Sequence, residues 1–90
     1  MSAPAVVRLP ALLIALFPDA ERVVNLEVDS VAALMDALDQ RWPGMRDRLC
    51  DSTPRIRRHI NVFVDGERSK LTTPLRPGAD VFILTAVSGG

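Results

Sequence analysis

The chain has one cysteine, Cys50, so no disulfide can form within it. His59 is the only histidine, and one thiol with one imidazole falls short of the four ligands of an ordinary structural zinc site. Tyrosine is absent, and tryptophan and phenylalanine together contribute four residues. That is little aromatic surface for stacking on bases. Charge of either sign is not in excess: eleven basic residues cancel eleven acidic ones. Binding nucleic acid requires a net basic surface to neutralise phosphate, so nucleic acid is not the expected partner. No glycine-rich phosphate loop of the Walker kind and no metal-ligand cluster occurs. The one apolar run, residues 9–17, contains Pro10 and stops at Pro18-Asp19, far short of a bilayer span. It also lacks the basic leader and cleavage site of a signal peptide, Arg8 apart. A soluble, cytoplasmic protein with no membrane partner and no bound metal is expected.

What remains is a small domain. Ninety residues with 48 % apolar content suffice for one core, burying about 60–65 % of the unfolded surface. Residues 5–9, with Val6-Val7, read as a strand closed by Pro10. Residues 11–17 fit either a helical turn or a leucine-bearing loop, with propensity favouring helix. Residues 23–28 alternate, placing Val24, Leu26 and Val28 on one face of a second strand and Val23, Asn25 and Glu27 on the other. Ser30, preceded by Asp29, is suited to cap a helix. Val31, Leu34, Met35, Leu38 and Trp42 then recur at helical spacing, until Pro43-Gly44 stops the pattern. Residues 45–58 are polar and irregular, with room for one helical turn at 45–49. Residues 59–65 alternate again and run into Asp65-Gly66, a strong hairpin signal. A weak edge strand is expected at 69–73, a turn at 75–80 and a last strand at 81–87. The order predicts an α+β fold: a mixed four- to five-stranded sheet with one main helix, residues 1–86 forming the domain and residues 87–90 a flexible tail.

The last strand has two faces. If Val81 and Ile83 point under the helix, then Phe82 and Leu84 project from the opposite face, together with Phe63 of the neighbouring alternation. Exposed apolar groups of this size in one patch mark a partner surface. The strand leads into Val87-Ser88-Gly89-Gly90. Glycine adds nothing to a core and loses most freedom on ordering, so a Gly-Gly end suits entry into a narrow cleft. Fully extended, the four residues reach roughly 13 Å.

The order of elements, the capped helix, the Asp80-Val81-Phe82-Ile83-Leu84 strand and the Val87-Ser88-Gly89-Gly90 end resemble the prokaryotic ubiquitin-like sulfur carriers. That group includes the thiamine-pathway carrier and the small subunit of molybdopterin synthase. The segments Trp42-Pro43-Gly44 and His59-Ile60-Asn61-Val62-Phe63-Val64-Asp65-Gly66 look most like the actinobacterial carrier for cysteine biosynthesis. Molybdopterin-synthase subunits often have prolines before the tail, where this chain has Thr85-Ala86. The resemblance implies a β-grasp fold with the first and last strands parallel at the sheet centre. It implies that a ubiquitin-activating-type adenylyltransferase uses ATP to adenylate Gly90, which then becomes a thiocarboxylate. No cofactor would be bound by the chain itself. Gly89 would keep the channel passage free of a side chain, with Val87 and Ser88 as spacer and guide. Phe63, Phe82 and Leu84 would dock the partner, and a sulfur-acceptor enzyme of the cysteine-synthase or molybdopterin-synthase kind would take the sulfur. A ubiquitin-like modifier or a non-catalytic interaction module is the other class left open.

Other reactive groups have plainer readings. Cys50, in a loop-like segment with no fixed base nearby in sequence, reads as a spectator thiol. His59, flanked by Arg57 and Arg58, reads as a strand-entry residue, and the Arg55–Arg58 cluster as a solvated loop or partner contact. Asp36 and Asp39 fall on the polar side of the helix and read as solvated.

Overall fold

The computed structural model describes residues 3–85. Strands β1 (Ala5–Arg8) and β2 (Val23–Leu26) are joined through helix α1 (Ala11–Leu16). Helices α2 (Val31–Arg41) and α3 (Met45–Leu49) follow, then β3 (Ile60–Val64), β4 (Glu67–Arg68) and β5 (Asp80–Thr85). The five strands form one mixed sheet in the order β2-β1-β5-β3-β4. β5 lies between β1, to which it runs parallel, and β3, to which it runs antiparallel. This is the β-grasp arrangement, with the first and last strands paired at the centre.

The alternation of the strands decides where the core lies. Val7, Val24, Val62, Val81 and Ile83 are each at most 1 % exposed and share one face. The α2 stripe of Val31, Leu34, Met35 and Leu38 is fully buried in the same cluster. Each such side chain contributes about 1.5–3 kcal/mol through burial. Leu13 from α1 and Met45 and Leu49 from α3 complete the cluster, with Phe17 and Trp42 packed at its margin.

The start of α2 leaves N–H groups without intrahelical partners, and those of Val31, Ala32 and Ala33 have substitutes. Ser30 Oγ accepts from the Ala33 N–H at 3.1 Å, and the Ser30 carbonyl accepts from Leu34. The Val31 and Ala32 N–H groups donate to the carbonyls of Thr73 and Leu71. This corrects the expected edge strand at 69–73. That segment's carbonyls turn towards the helix terminus, and the edge strand is Glu67–Arg68, directly after the hairpin turn. The turn places both Asp65 (φ 50°) and Gly66 (φ 86°) in the left-handed region, as a two-residue hairpin of this twist requires.

Asp39 also departs from expectation. Its Oδ1 accepts from the N–H groups of Gly44 (3.0 Å) and Arg46 (3.1 Å), fixing the bend between α2 and α3. Asp36 lies 2.9 Å from Arg46 Nε, out of line with the N–H, so this contact is an ion pair and not a hydrogen bond.

Candidate functional site

The outer face of the sheet carries the residues with unusual exposure. Strand register aligns one row across it: Val23 beside Arg8, Arg8 beside Phe82, Phe82 beside Phe63 and Phe63 beside Arg68. Phe82 and Leu84 are 40 % and 45 % exposed, while Phe63 is half-buried. The three predicted patch residues thus share this face, with Phe63 the least accessible. Leu84 sits beside Asn61 of β3.

Arg8 completes the row in a way that the alternation pattern does not signal. Its guanidinium carbon lies 4.8 Å from the centroid of the Phe82 ring, and Nη1 lies 2.9 Å from Asp80 Oδ1. The ion pair is solvent-exposed and contributes little energy. Its effect is geometric: the carboxylate holds the cation over the aromatic face. A partner covering Phe82 therefore meets an apolar ring and a fixed positive charge together.

The parallel pairing of β1 and β5 sets the direction of the site. Both strands end at the same edge of the sheet, so Thr85 emerges where β1 gives way to α1. Leu12 and Leu16 of α1 and Val23 at the start of β2 lie towards that end, 50 %, 43 % and 49 % exposed. Exposed apolar groups thus gather where the chain leaves the sheet. Val23 was legible in the alternation of its strand; Leu12 and Leu16 were not, because residues 11–17 admit a leucine on every side. Val87, Ser88, Gly89 and Gly90 lie outside the described residues, as does the predicted boundary after residue 86.

Asp65 anchors the other end of β5. Its Oδ1 accepts from the Asp80 N–H at 3.0 Å, and Oδ2 accepts from Arg76 Nε at the same distance. These bonds hold the carboxyl below the ordinary carboxylate range, the Asp80 amide being the larger cause. Asp51 is likewise lowered, chiefly by the Thr53 hydroxyl and then by the Thr53 backbone N–H. Cys50 is buried at the end of α3, and burial pushes its thiol up, against the lowering influence of Arg46. A buried thiol of raised pKa is a poor nucleophile, so the structure supports a spectator role. His59 is exposed at the entry to β3. No group of three or more potential metal ligands occurs among the described residues. No helix there is long and apolar enough to cross a membrane.

The ThiS family model matches residues 7–90. The chain belongs to the ThiS family. Within this group of ubiquitin-like sulfur carriers and modifiers, it is 32 % identical over 72 residues to small archaeal modifier protein 1 of Haloferax volcanii. That alignment covers 77 % of this chain and 83 % of the relative. Among solved structures, the Amycolatopsis orientalis BexX/CysO complex contains a chain that superposes with a TM-score of 0.84 at 28 % identity. The match covers 96 % of this chain and 99 % of the other. Mycobacterium tuberculosis CysO, described as an antigen, gives 0.81 at 26 % identity, covering 92 % and 99 %. The Haloferax SAMP1 structure gives 0.80 at 25 %, covering 98 % and 100 %. These ThiS-family relatives are small carrier or modifier proteins and not themselves enzymes.

Proposed function

We propose that this ThiS-family chain carries sulfur on its C-terminal glycine. The supporting observation is that the family match runs through residue 90 and so includes Gly89-Gly90, directly beyond the central strand β5. A carboxylate is ionised at neutral pH and is a poor electrophile. In this reading a ubiquitin-activating-type adenylyltransferase binds ATP, and the Gly90 carboxylate attacks its α-phosphate. Pyrophosphate leaves and an acyl-adenylate forms. Sulfide then attacks the acyl carbon, AMP leaves, and the product ionises to a thiocarboxylate. Gly89 keeps the path into the partner narrow, with Val87 and Ser88 as spacer. Phe82, Leu84 and the half-buried Phe63 give the partner its docking surface. The cysteine-biosynthetic acceptor is favoured because two CysO structures are among the solved relatives. The thiocarboxylate then donates its sulfur to a cysteine-synthase-like enzyme, with molybdopterin synthase as the alternative acceptor. The protein acts in the cytoplasm as a substrate of enzymes.

Intact-mass analysis after incubation with a cognate activating enzyme, ATP and sulfide tests this. Replacement of one oxygen by sulfur is expected for the full chain and not for a chain lacking Gly90. An unchanged mass across several cognate activating enzymes would refute the carrier reading. The likeness to an archaeal modifier protein favours a second reading, in which the adenylated glycine is joined to lysine amines. Isopeptide-linked conjugates in cell extracts, recovered without any thiocarboxylate, would select it.

A further inference from the structure

A cleft of about 700 Å³ opens at the β3–β4 edge of the sheet, adjoining the docking patch on the outer face. Its walls come from two segments distant in sequence. The loop after α3 supplies Arg55, Arg57 and Arg58, and the chain from β4 onward supplies Arg68 and Lys70. Five of the eleven basic residues of a chain with no net charge therefore line one cleft, and no acidic side chain lines it among the described residues. None of the five forms an ion pair among the described residues; the pairs present there use Arg8, Arg46 and Arg76. Arg57 is held in place by donating from Nε to the Asp47 carbonyl at 2.8 Å.

The floor has a different character. Ile60, Val62 and Leu71 line it. The two-residue strand β4 pairs only with Phe63 and Val64. The Ser69 N–H and Oγ both donate to the Val62 carbonyl, and the ladder stops there. The Ile60 N–H donates to the Arg57 carbonyl, and Ile60 and Val62 are only 4 % and 1 % exposed, so the backbone of β3 is closed along the floor. Cations spread along two walls that come from distant segments suit an extended acidic chain better than a compact anion. Four of the cations are exposed and stand at the rim, whereas tight phosphate sites use converging backbone N–H groups or buried cations.

We propose that this cleft receives an acidic peptide segment of a protein partner, with its carboxylates paired to Arg55, Arg58, Arg68 and Lys70. The charge pairs would supply the selectivity. The inference does not depend on the carrier reading, because neither the tail nor Phe63, Phe82 or Leu84 enters it, although Arg68 borders both sites.

The test is a titration of the isotope-labelled full chain by NMR with a capped peptide of alternating Glu and Val. Saturable shifts are expected at the Val62 and Ser69 amides. Charge reversal in the Arg58→Glu/Arg68→Glu double variant should weaken binding at least tenfold. The Arg55→Glu/Lys70→Glu variant provides an independent check, each variant being used once its spectrum away from the cleft matches the parent. Unchanged Val62 and Ser69 resonances at millimolar peptide would overturn the proposal. Tighter binding of tripolyphosphate or of a single-stranded oligonucleotide would assign the cleft to a different ligand class.

Discussion

Adjacent residues of β5 make opposite predictions. Phe82 is 40 % exposed on the outer face, while Ile83 is fully buried beneath α2. A phenylalanine presents about 200 Å² in an extended chain, so a partner that covers Phe82 removes roughly 80 Å² more from water, worth about 2 kcal/mol. Phe82→Ala should therefore weaken the complex with a cognate activating enzyme on the order of thirtyfold, read by calorimetric titration. The free domain should lose about 1 kcal/mol or less, because the ring already stands partly in solvent. Ile83→Ala deletes core volume and should cost about 2–5 kcal/mol of unfolding free energy, read by urea denaturation. Its binding in the folded state should hardly change. Equal affinity for Phe82→Ala and the parent would remove Phe82 from the docking surface. Greater destabilisation by Phe82→Ala than by Ile83→Ala would refute the assignment of faces.

Removing the α2 cap with Ser30→Ala should cost about 1 kcal/mol in urea denaturation, while Ser30→Gly should cost only a few tenths. Cys50 should resist alkylation by iodoacetamide in the native protein and react at the rate of a free thiol in urea, since burial both shields and neutralises it. Asp65 and Asp51 have carboxyl groups held lower in the folded protein than in the unfolded chain. Their contribution is complete above the unfolded value of about 3.9, and it is lost as pH falls below that value through the lowered folded ones. Asp65→Asn should flatten this part of the pH–stability curve; a curve parallel to the parent's would show that Asp65 makes no such contribution.

Much of the fold was legible because it is written locally. Ser30 before the Val31–Leu34–Met35–Leu38 spacing marks a capped amphipathic helix, and Asp65-Gly66 marks a tight hairpin. The alternation in β3 and β5 assigned the sheet faces. Contacts between distant segments were not legible. Asp39 looks like any acidic residue on a polar helix face until α3 turns back and presents two N–H groups to it. The segment at 69–73 has the composition of a weak strand, but its carbonyls are recruited by α2. Glu67–Arg68 becomes the edge strand through the register of the turn, despite two charged side chains with little intrinsic preference for a sheet. Arg8 acquires its place over Phe82 only when β1 and β5 pair, across more than seventy residues of chain. The basic cleft likewise combines loops that composition alone treats separately.

The central position of β5 has a bearing on biosynthesis. Among the described strands, the one synthesised after all the others joins the β1–β2 ribbon to the β3–β4 hairpin. A chain cut short before Asp80 has two separate ribbons and no shared sheet for α2 to cover, and two-stranded ribbons are barely stable in water. Completion of the fold therefore reports that synthesis has passed residue 85. Quality control that removes unfolded chains would, by the same act, remove those that stopped before β5 was made.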